Sequence, residues 1–253
     1  MTFTLEDWHT RFQQQARWTA SLRSHIFTRG DIRRARHILE VGCGTGAITA
    51  SMARENIPVQ IVGVDIDVPR LAFARSHDRA CEYAGGDALR LPFGDGVFDL
   101  TFCHYLLLWI PVPEQAVREM VRVTRSGGWV AAFAEPDYGA RIDYPPPLEE
   151  IGRRQTESLR RQGAHPEIGR RLAGLLAGAG VSMKESGVLG AHLNPAGYDS
   201  DETDSEWKVL KEDLAGELSN AEWQAFLDTD RAARASGERV WFVPTFYAAG
   251  ARD

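Results

Sequence analysis

The stretch ILEVGCGTGAIT, residues 38–49, decides the fold class of this chain. The apolar run Ile38–Val41 leads into glycines at alternate positions: Gly42, Gly44 and Gly46. Glycines in such a turn let the main chain approach a ligand closely, and they let the following helix pack against its strand. The spacing also satisfies a dinucleotide fingerprint if Ala47 takes the third small position. The motif alone predicts a strand, a tight turn and a helix, and it leaves the ligand open.

Strands and helices alternate through the residues that follow. The pattern predicts strands at 38–41, 59–64, 81–84, 97–102 and 129–134, with helices at 47–56, 68–76 and 113–124. Strands buried on both faces read as continuous apolar runs, as IVGV (61–64) and WVAAFA (129–134) do. This alternation indicates βαβ units and a mostly parallel sheet, an α/β fold. Such sheets bind ligands beyond the carboxyl ends of their strands.

Acidic residues at those strand ends distinguish between possible ligands. A pyrophosphate prefers free N–H groups and positive potential, so the carboxylate of Glu40 beside the glycines disfavours it and favours a cation. Asp65 ends the second strand, where a carboxylate can accept both hydroxyls of a ribose. Asp87 follows the third strand, where it can accept the exocyclic amine of an adenine. The pattern predicts an adenosine that carries an amino acid rather than phosphates.

Four motifs in order resemble the class I S-adenosylmethionine-dependent methyltransferases, especially their small-molecule branch. They are ILEVGCGTG, VGVDID, GGDALRLPFGDGVFDLTFCHYLLLWI and VTRSGGWVAAFAEPD, and they cover residues 37–137. The resemblance implies a Rossmann-like, doubly wound, mostly parallel seven-stranded sheet with helices on both faces. It also implies that the chain binds S-adenosyl-L-methionine and releases S-adenosyl-L-homocysteine.

The resemblance further implies which residues hold the cofactor. They are Glu40, Gly42, Gly44, Gly46, Asp65, Ile66, Asp87, Ala88 and Cys103. The glycines would line the methionine side, with Glu40 near the amino group and the main chain of Cys103 near the methionine. Asp65 would bind the ribose, Ile66 would lie against the adenine, and Asp87 with the Ala88 N–H would meet the adenine edge. Gly42, Gly44 and Gly46 each have a plainer interpretation as a tight turn, but their joint spacing disfavours it.

Two residues are predicted to act on the methyl acceptor. His104 follows the fourth strand, nearest the transferring methyl in this fold, and Tyr138 follows the fifth. Each also has a structural interpretation, as a packed or capping side chain. Weaker candidates for contacts on the acceptor side are Tyr105, Asp137, His25 and His165, and Trp18 is a candidate for a lid over the cofactor. Methyl transfer from a sulfonium needs mainly alignment, and a protein base helps only if the acceptor carries a proton. No metal is expected.

The family varies its substrate through N-terminal helices and an insert after the fifth strand. We therefore predict a helical lid at 1–36 and a core at 37–253 with a helical insert near 138–180. Segment 1–36 carries seven arginines against three acids, and 199–230 carries eleven acids against two lysines. We interpret both as solvated faces. Arginines of the insert are exposed helix residues by default, although they could also attract an acidic substrate.

Composition restricts the remaining possibilities. A net charge of −6 disfavours a nucleic-acid partner, and scattered Cys43, Cys81 and Cys103 indicate a reducing cytoplasm. No signal peptide or membrane span is predicted. We expect a small-molecule methyl acceptor methylated on O, N or C, no nucleic acid or membrane partner, and a monomer or homodimer. The alternatives are a non-catalytic cofactor-binding or scaffold protein, a nucleic-acid methyltransferase and, least favoured, an NAD-binding oxidoreductase.

Overall fold

The computed structural model describes residues 3–29, 34–54, 59–189 and 200–253. Its strands are β1 His37–Val41, β2 Gln60–Asp65, β3 Glu82–Gly85, β4 Phe98–Cys103, β5 Thr124–Pro136, β6 Ile142–Tyr144, β7 Val181–Leu189, β8 Val240–Phe242 and β9 Thr245–Arg252. Its helices are α1 Leu5–Trp18, α2 Ala20–Phe27, α3 Ala47–Ala53, α4 Val68–His77, α5 Pro113–Val123, α6 Glu149–Arg161, α7 Leu172–Gly178, α8 Ser200–Asp213 and α9 Asn220–Ser236. None of these described helices is long and apolar enough to cross a membrane.

Seven strands form one sheet in the order β3-β2-β1-β4-β5-β9-β7. β1 to β5 run parallel, and β9 lies antiparallel between β5 and β7. The strand order reverses next to β1, because β2 and β3 lie on one side of it and β4 on the other. That reversal opens a crevice at the carboxyl ends of β1 and β4, where open α/β sheets bind ligands. The predicted mostly parallel seven-stranded fold is confirmed.

Two apolar clusters cover the two faces of the sheet. One joins Leu39 and Val41 of β1 to helices α5 and α7, and the other joins Ile38 and Phe102 to α2 and α3. Neighbouring residues of β1 thus enter opposite clusters, which is why its sequence is apolar without alternation.

A third cluster lies outside the sheet and contains Trp207, Leu210, Leu214 and Trp241 with Ile151 of α6. α6 and α8 contact each other, and β6 pairs with β8 in a separate two-stranded sheet. We call this unit, made of β6, α6, α8, α9 and β8, the cap. The predicted insert at 138–180 includes only its first part, since α8, α9 and β8 enter later, between β7 and β9.

Sequence signals account for most element ends. α1 begins with a capping box in which Thr4 and Asp7 exchange hydrogen bonds, and Asp67 caps α4 through the Arg70 N–H. α9 begins with the same box at Ser219 and Glu222. The stretch predicted as one final strand, 239–251, is divided at Pro244 between β8 and β9, which belong to different sheets. The predicted helix 47–56 ends at Ala53, and its last residues lie outside the described ranges.

Candidate functional site

The glycine loop after β1 adopts a backbone that side chains disfavour. Gly42, Gly44 and Gly46 have φ of +76°, +53° and +75°. The N–H groups of Gly42 and Cys43 donate to the Val64 carbonyl at 2.8 and 3.1 Å, which ties the loop to the end of β2. Gly46, in the left-handed region, is the N-cap of α3. The backbone conformation alone therefore favours glycine at these three positions.

Asp65 connects the glycine loop to the second strand. Its Oδ2 accepts the Gly44 N–H at 2.7 Å, and its Oδ1 accepts the Asp67 N–H at 2.9 Å. A carboxylate oxygen can accept more than one hydrogen bond, so the half-buried side chain keeps capacity for ligand hydroxyls. The next residue, Ile66, is 71% exposed. An isoleucine so exposed, beside a carboxylate at a strand end, is an apolar surface available to a flat ring.

Asp87 and Ala88 lie one strand further along. The Gly86 N–H donates to the Asp65 carbonyl at 3.0 Å, so the ends of β2 and β3 are adjacent. The exposed Asp87 carboxylate accepts the Leu89 N–H at 2.8 Å, whereas Ala88 is buried. The structure therefore brings Gly44 and Asp65 into direct contact and places Asp87 at the neighbouring strand end.

Glu40 is buried beneath the loop, and the pKa of its carboxyl is strongly shifted. Its carboxylate accepts a short hydrogen bond from the Thr49 hydroxyl of α3. Burial raises the pKa of Glu40 to about 7, although the Thr49 hydrogen bond and the charge of Arg23 act in the opposite direction. A cation close to this buried carboxyl would lower its pKa and favour the charged carboxylate.

Cys103 and His104 end β4 in different environments. Cys103 is fully buried between Val41 and Ala132 of the neighbouring strands, and burial raises the pKa of its thiol well above the usual range. His104 Nε2 lies 3.0 Å from the Thr19 hydroxyl at the junction of α1 and α2. Burial, followed by the charge of Arg23, lowers the pKa of His104 to about 3. The imidazole is therefore neutral at pH 7.

Tyr105 continues the chain in a strained conformation. Its φ of +51° lies in the left-handed region, which is uncommon for an aromatic residue. The turn is fixed on both sides, because the Tyr105 N–H donates to the Ala134 carbonyl at 2.8 Å and the carboxylate of Glu135 accepts the next N–H groups. These are the N–H groups of Leu106, Leu107 and Leu108, at 3.0, 2.9 and 3.2 Å. Glu135 thus holds the turn that carries Tyr105.

Tyr138 follows β5 at the base of the cap. Its N–H donates to the Pro166 carbonyl at 2.8 Å, and the Thr156 hydroxyl of α6 donates to its carbonyl at 3.3 Å. Burial raises the pKa of Tyr138, and the charges of Asp213 and Glu206 add to the effect. The carboxylate of Asp137 instead forms an ion pair, because Arg170 donates to both of its oxygens at 2.5 and 2.7 Å.

α1 lies directly over the glycine loop. His9 Nδ1 is 2.9 Å from the Thr45 hydroxyl, and a Cβ at Gly44 would lie 3.1 Å from the Phe12 ring. Leu106 similarly lies against Gly42. A ligand over this loop therefore has to share space with, or displace, Phe12 and Leu106.

Two arginines of the N-terminal segment correct the expectation of a solvated basic face. Arg11 and Arg23 are only 6% and 3% exposed. Arg23 donates to the Ala16 carbonyl at 2.8 Å and to the Thr19 hydroxyl at 2.5 Å, and its charge acts on both Glu40 and His104. Arg11 pairs with Glu206 of α8 at 2.5 Å. Arg11 lies in α1 and Arg23 in α2, and an arginine count over the segment does not distinguish these buried arginines from exposed ones.

The arginines of α6 do follow the expected surface pattern, whereas the side chain of Arg141, earlier in the insert, is only 7% exposed and pairs with Asp143. Arg153 and Arg154 pair with Glu150 at 2.5 and 2.8 Å, Arg160 pairs with Glu167, and Arg161 pairs with Glu217. Of the other weaker candidates, His25 lies 3.1 Å from Glu185. The main-chain N–H of His165 donates to the Leu108 carbonyl, and its buried Nε2 has no hydrogen-bond partner among the described residues.

The chemistry of the site tests which cofactor it can accept. The Gly44 N–H, which a pyrophosphate would need, is bound by the Asp65 carboxylate. Glu40 adds a second acid below the loop. The residues therefore do not fit a pyrophosphate, and they fit a ligand with hydroxyls, a flat ring and an ammonium group.

Residues 39–132, which run from β1 into β5, match the family described as "Methyltransferase domain". The family match and the fold support a class I S-adenosylmethionine-dependent methyltransferase domain in this part of the chain. S-adenosylmethionine is the cofactor of this class.

Similar proteins cover the domain unevenly. The chain is 29% identical to an uncharacterised methyltransferase of Schizosaccharomyces pombe, over 56% of this chain and 55% of that protein. It is 33% identical to the demethylmenaquinone methyltransferase of Renibacterium salmoninarum, over 40% of this chain and 43% of that protein. The chain thus spans about half the length of these curated relatives. The structure of a geranyl diphosphate methyltransferase in complex with SAM superposes with a TM-score of 0.57, at 15% identity, over 94% of this chain and 85% of that one.

Proposed function

We propose that this chain transfers a methyl group from S-adenosylmethionine to a small molecule at the carboxyl ends of β1, β2, β3 and β4. One observation carries the proposal: the carboxylate of Asp65 holds the Gly44 N–H and keeps oxygens available beside the exposed Ile66. The Asp65 carboxylate can accept ribose hydroxyls, and the adjacent Ile66 offers an apolar surface to an adenine. Because the Gly44 N–H is already bound by Asp65, it is not free to bind a phosphate.

Each predicted cofactor residue has a place in this proposal. Glu40 attracts the ammonium group, and the main chain of Gly42, Gly44, Gly46 and Cys103 borders the methionine. Asp65 accepts the ribose hydroxyls and Ile66 packs on the adenine. Asp87 accepts the adenine amine, with the Ala88 N–H directed at the ring edge. These assignments rest on the strand-end positions of the residues and on the family resemblance.

When bound, the cofactor supplies an activated methyl group on a sulfonium. Glu40, the glycine loop and Asp65 would hold the cofactor, which would supply its methyl carbon to a lone pair of the acceptor and keep the electrons of the broken carbon–sulfur bond on sulfur. A proton on the acceptor leaves to water or to a base. The chain contributes alignment and exclusion of water. α1 acts here as a lid, since it already lies over the glycine loop.

His104 is a weak base at neutral pH, because its pKa of about 3 is far from the pKa that favours proton transfer. We assign it to contact with the acceptor or to positioning, together with Tyr105 and Tyr138, whose raised pKa values keep both phenols protonated. Such a site suits an acceptor that is already nucleophilic at neutral pH. The named acceptors of the relatives, demethylmenaquinone and geranyl diphosphate, support a small-molecule substrate.

Calorimetric titration with S-adenosylmethionine, S-adenosylhomocysteine and NAD tests the proposal. We expect the first two to bind and NAD to be silent. Asp65→Ala should weaken binding at least tenfold, about 1.4 kcal/mol. Asp95→Ala, which changes an exposed surface carboxylate, is the matched control. Binding of NAD alone would contradict the cofactor assignment, and unchanged affinity in Asp65→Ala would remove the ribose assignment.

A further inference from the structure

Arg11 is a buried cation with unused hydrogen-bond donors. Its side chain is 7% exposed, and Nη2 binds Glu206 Oε1 at 2.5 Å. Nε and Nη1 have no partner among the described residues, and neither does Oε1 of Gln14, which is 4% exposed one turn further along α1. Both side chains therefore present unsatisfied polar atoms on the same buried face of one helix.

Leaving such groups unsatisfied is costly. A buried donor without a partner costs roughly 1–3 kcal/mol, and more when it is charged. Native proteins leave few of them, so each one calls for an explanation such as a ligand. The exposed arginines of α6 offer the contrast, since their guanidinium groups bind neighbouring carboxylates. The unused donors of Arg11 indicate that a ligand supplies the missing acceptors.

The position of Arg11 indicates which ligand. Its guanidinium lies 4.8 Å from the centre of the Trp18 ring, and its charge acts on the phenols of Tyr105 and Tyr138. The Tyr105 ring lies 4.9 Å from the ring of His104, at the end of β4. Arg11 thus belongs to a group of aromatic side chains on the acceptor side of the proposed methyl-transfer site.

We propose that Arg11 binds an oxyanion of the methyl acceptor, a carboxylate or phosphate carried on an aromatic or otherwise apolar body. Glu206 holds the guanidinium in place and competes with that anion. Trp18, Tyr105 and Tyr138 surround the body of the molecule, and Gln14 Oε1 accepts a hydrogen bond from its polar groups. Because Arg11 is in α1 and Glu206 in α8, the acceptor binds where the N-terminal helix meets the cap. This inference rests on the proposed function.

Binding of small probes to the protein saturated with S-adenosylhomocysteine tests the inference. The probes are benzoate, phenyl phosphate and the neutral benzamide. Their binding is measured by ligand-observed NMR and by calorimetry. We expect benzoate or phenyl phosphate to bind at least tenfold more tightly than benzamide, and the preferred anion identifies the source of the oxyanion. Arg11→Met should remove this preference while S-adenosylhomocysteine affinity stays unchanged. Arg17→Met, which changes an exposed arginine on the same helix, is the control.

A second variant keeps the test decisive if Arg11→Met does not fold. Glu206→Gln removes the competing charge and should tighten anion binding at least threefold, whereas a purely structural ion pair predicts no gain. Equal binding of anions and benzamide, or an Arg11→Met protein that binds anions like the wild type, would overturn the inference. So would weaker or unchanged binding in Glu206→Gln. Titration of the same samples with S-adenosylhomocysteine tests the proposed function separately. If S-adenosylhomocysteine does not bind, the affinities for the anions are compared in the ligand-free protein instead.

Discussion

Glu40 is a buried carboxyl that we propose attracts the ammonium group of the cofactor. Because its pKa is about 7, it is roughly half protonated in the free protein at pH 7. An ammonium group beside it favours the charged form and lowers that pKa. Binding of S-adenosylhomocysteine should therefore release protons near pH 7, and affinity should rise as the pH increases from 6 to 7.5.

Calorimetry in buffers of different ionisation enthalpy measures this release directly. Glu40→Gln should abolish the proton release and flatten the pH dependence, because the amide cannot ionise. Glu82→Gln, at an exposed position on β3, should leave both intact. Proton uptake, or a release that persists in Glu40→Gln, would show that another group is responsible.

His104 allows a second test at the residue scale. We expect His104→Ala to bind S-adenosylhomocysteine within about twofold of the wild type and to lower kcat at least tenfold, because the contact next to the acceptor is lost. With a pKa of about 3, His104 should contribute no titration to the pH–rate profile between pH 5 and 8. His104→Gln, which can still form a hydrogen bond with the Thr19 hydroxyl, should retain more activity than alanine. Equal kcat in all three proteins would reduce His104 to a packing residue.

Individual residues differ in how far sequence could predict them. Glycine spacing and strand-end acids are local signals, so the contact between Gly44 and Asp65 could be expected. Arg11 was missed because its importance depends on Glu206, which is 195 positions away and on a different element. A count of charges over a whole segment treats Arg11 like the exposed arginines around it. The count does not show that Arg11 is buried.

At the scale of elements, the cap depends on a buried ion network. Asp230 binds Arg239 at 2.6 Å, Arg234 at 2.7 Å and the indole N–H of Trp207 at 3.0 Å. Removing one partner from a buried pair leaves an uncompensated charge and costs about 3–5 kcal/mol. We expect Asp230→Asn to lower the free energy of unfolding by about this amount in urea denaturation followed by circular dichroism.

Asp228→Asn is the control on the same helix. Its ion pair with Arg231 is exposed, so its loss should cost no more than about 1 kcal/mol. Equal destabilisation by the two variants would mean that the network contributes nothing beyond a surface pair.

The cap was harder to predict than the sheet, because its elements are far apart in the sequence. β1 to β4 and their helices follow one another at short range, and their predicted ends lie close to the observed ones. The cap joins β6 and α6 to α8, α9 and β8 across β7, so no local pattern links its parts. The eleven acids of 199–230 indicated a solvated face, yet Asp230 is buried and Trp207 lies in a separate core. Pairing with the nearby Arg234 and Arg239 offsets the cost of burying that acid.

At the scale of the whole molecule, the proposed site joins three parts: the sheet edge, α1 and the cap. α1 contacts the glycine loop through His9 and Phe12 and contacts the cap through Arg11. α7 instead packs on the sheet face formed with α5. A ligand at the sheet edge should therefore stabilise α1 and the loop more than it stabilises α7.

Hydrogen exchange measured with and without S-adenosylhomocysteine tests this arrangement. At a ligand concentration of one hundred times Kd, the global gain is about 2.7 kcal/mol. Amides that exchange through local opening respond to the ligand only where it contacts the protein. We therefore expect the largest added protection from exchange at 5–18, 42–46, 65–67 and 85–88, and little at 172–178. Asp65→Ala at the same ligand concentration should lose most of that gain. Protection at the strand ends without any change in α1 would show that the helix does not close over the cofactor. In that case the contact between Phe12 and Gly44 would belong only to the free protein.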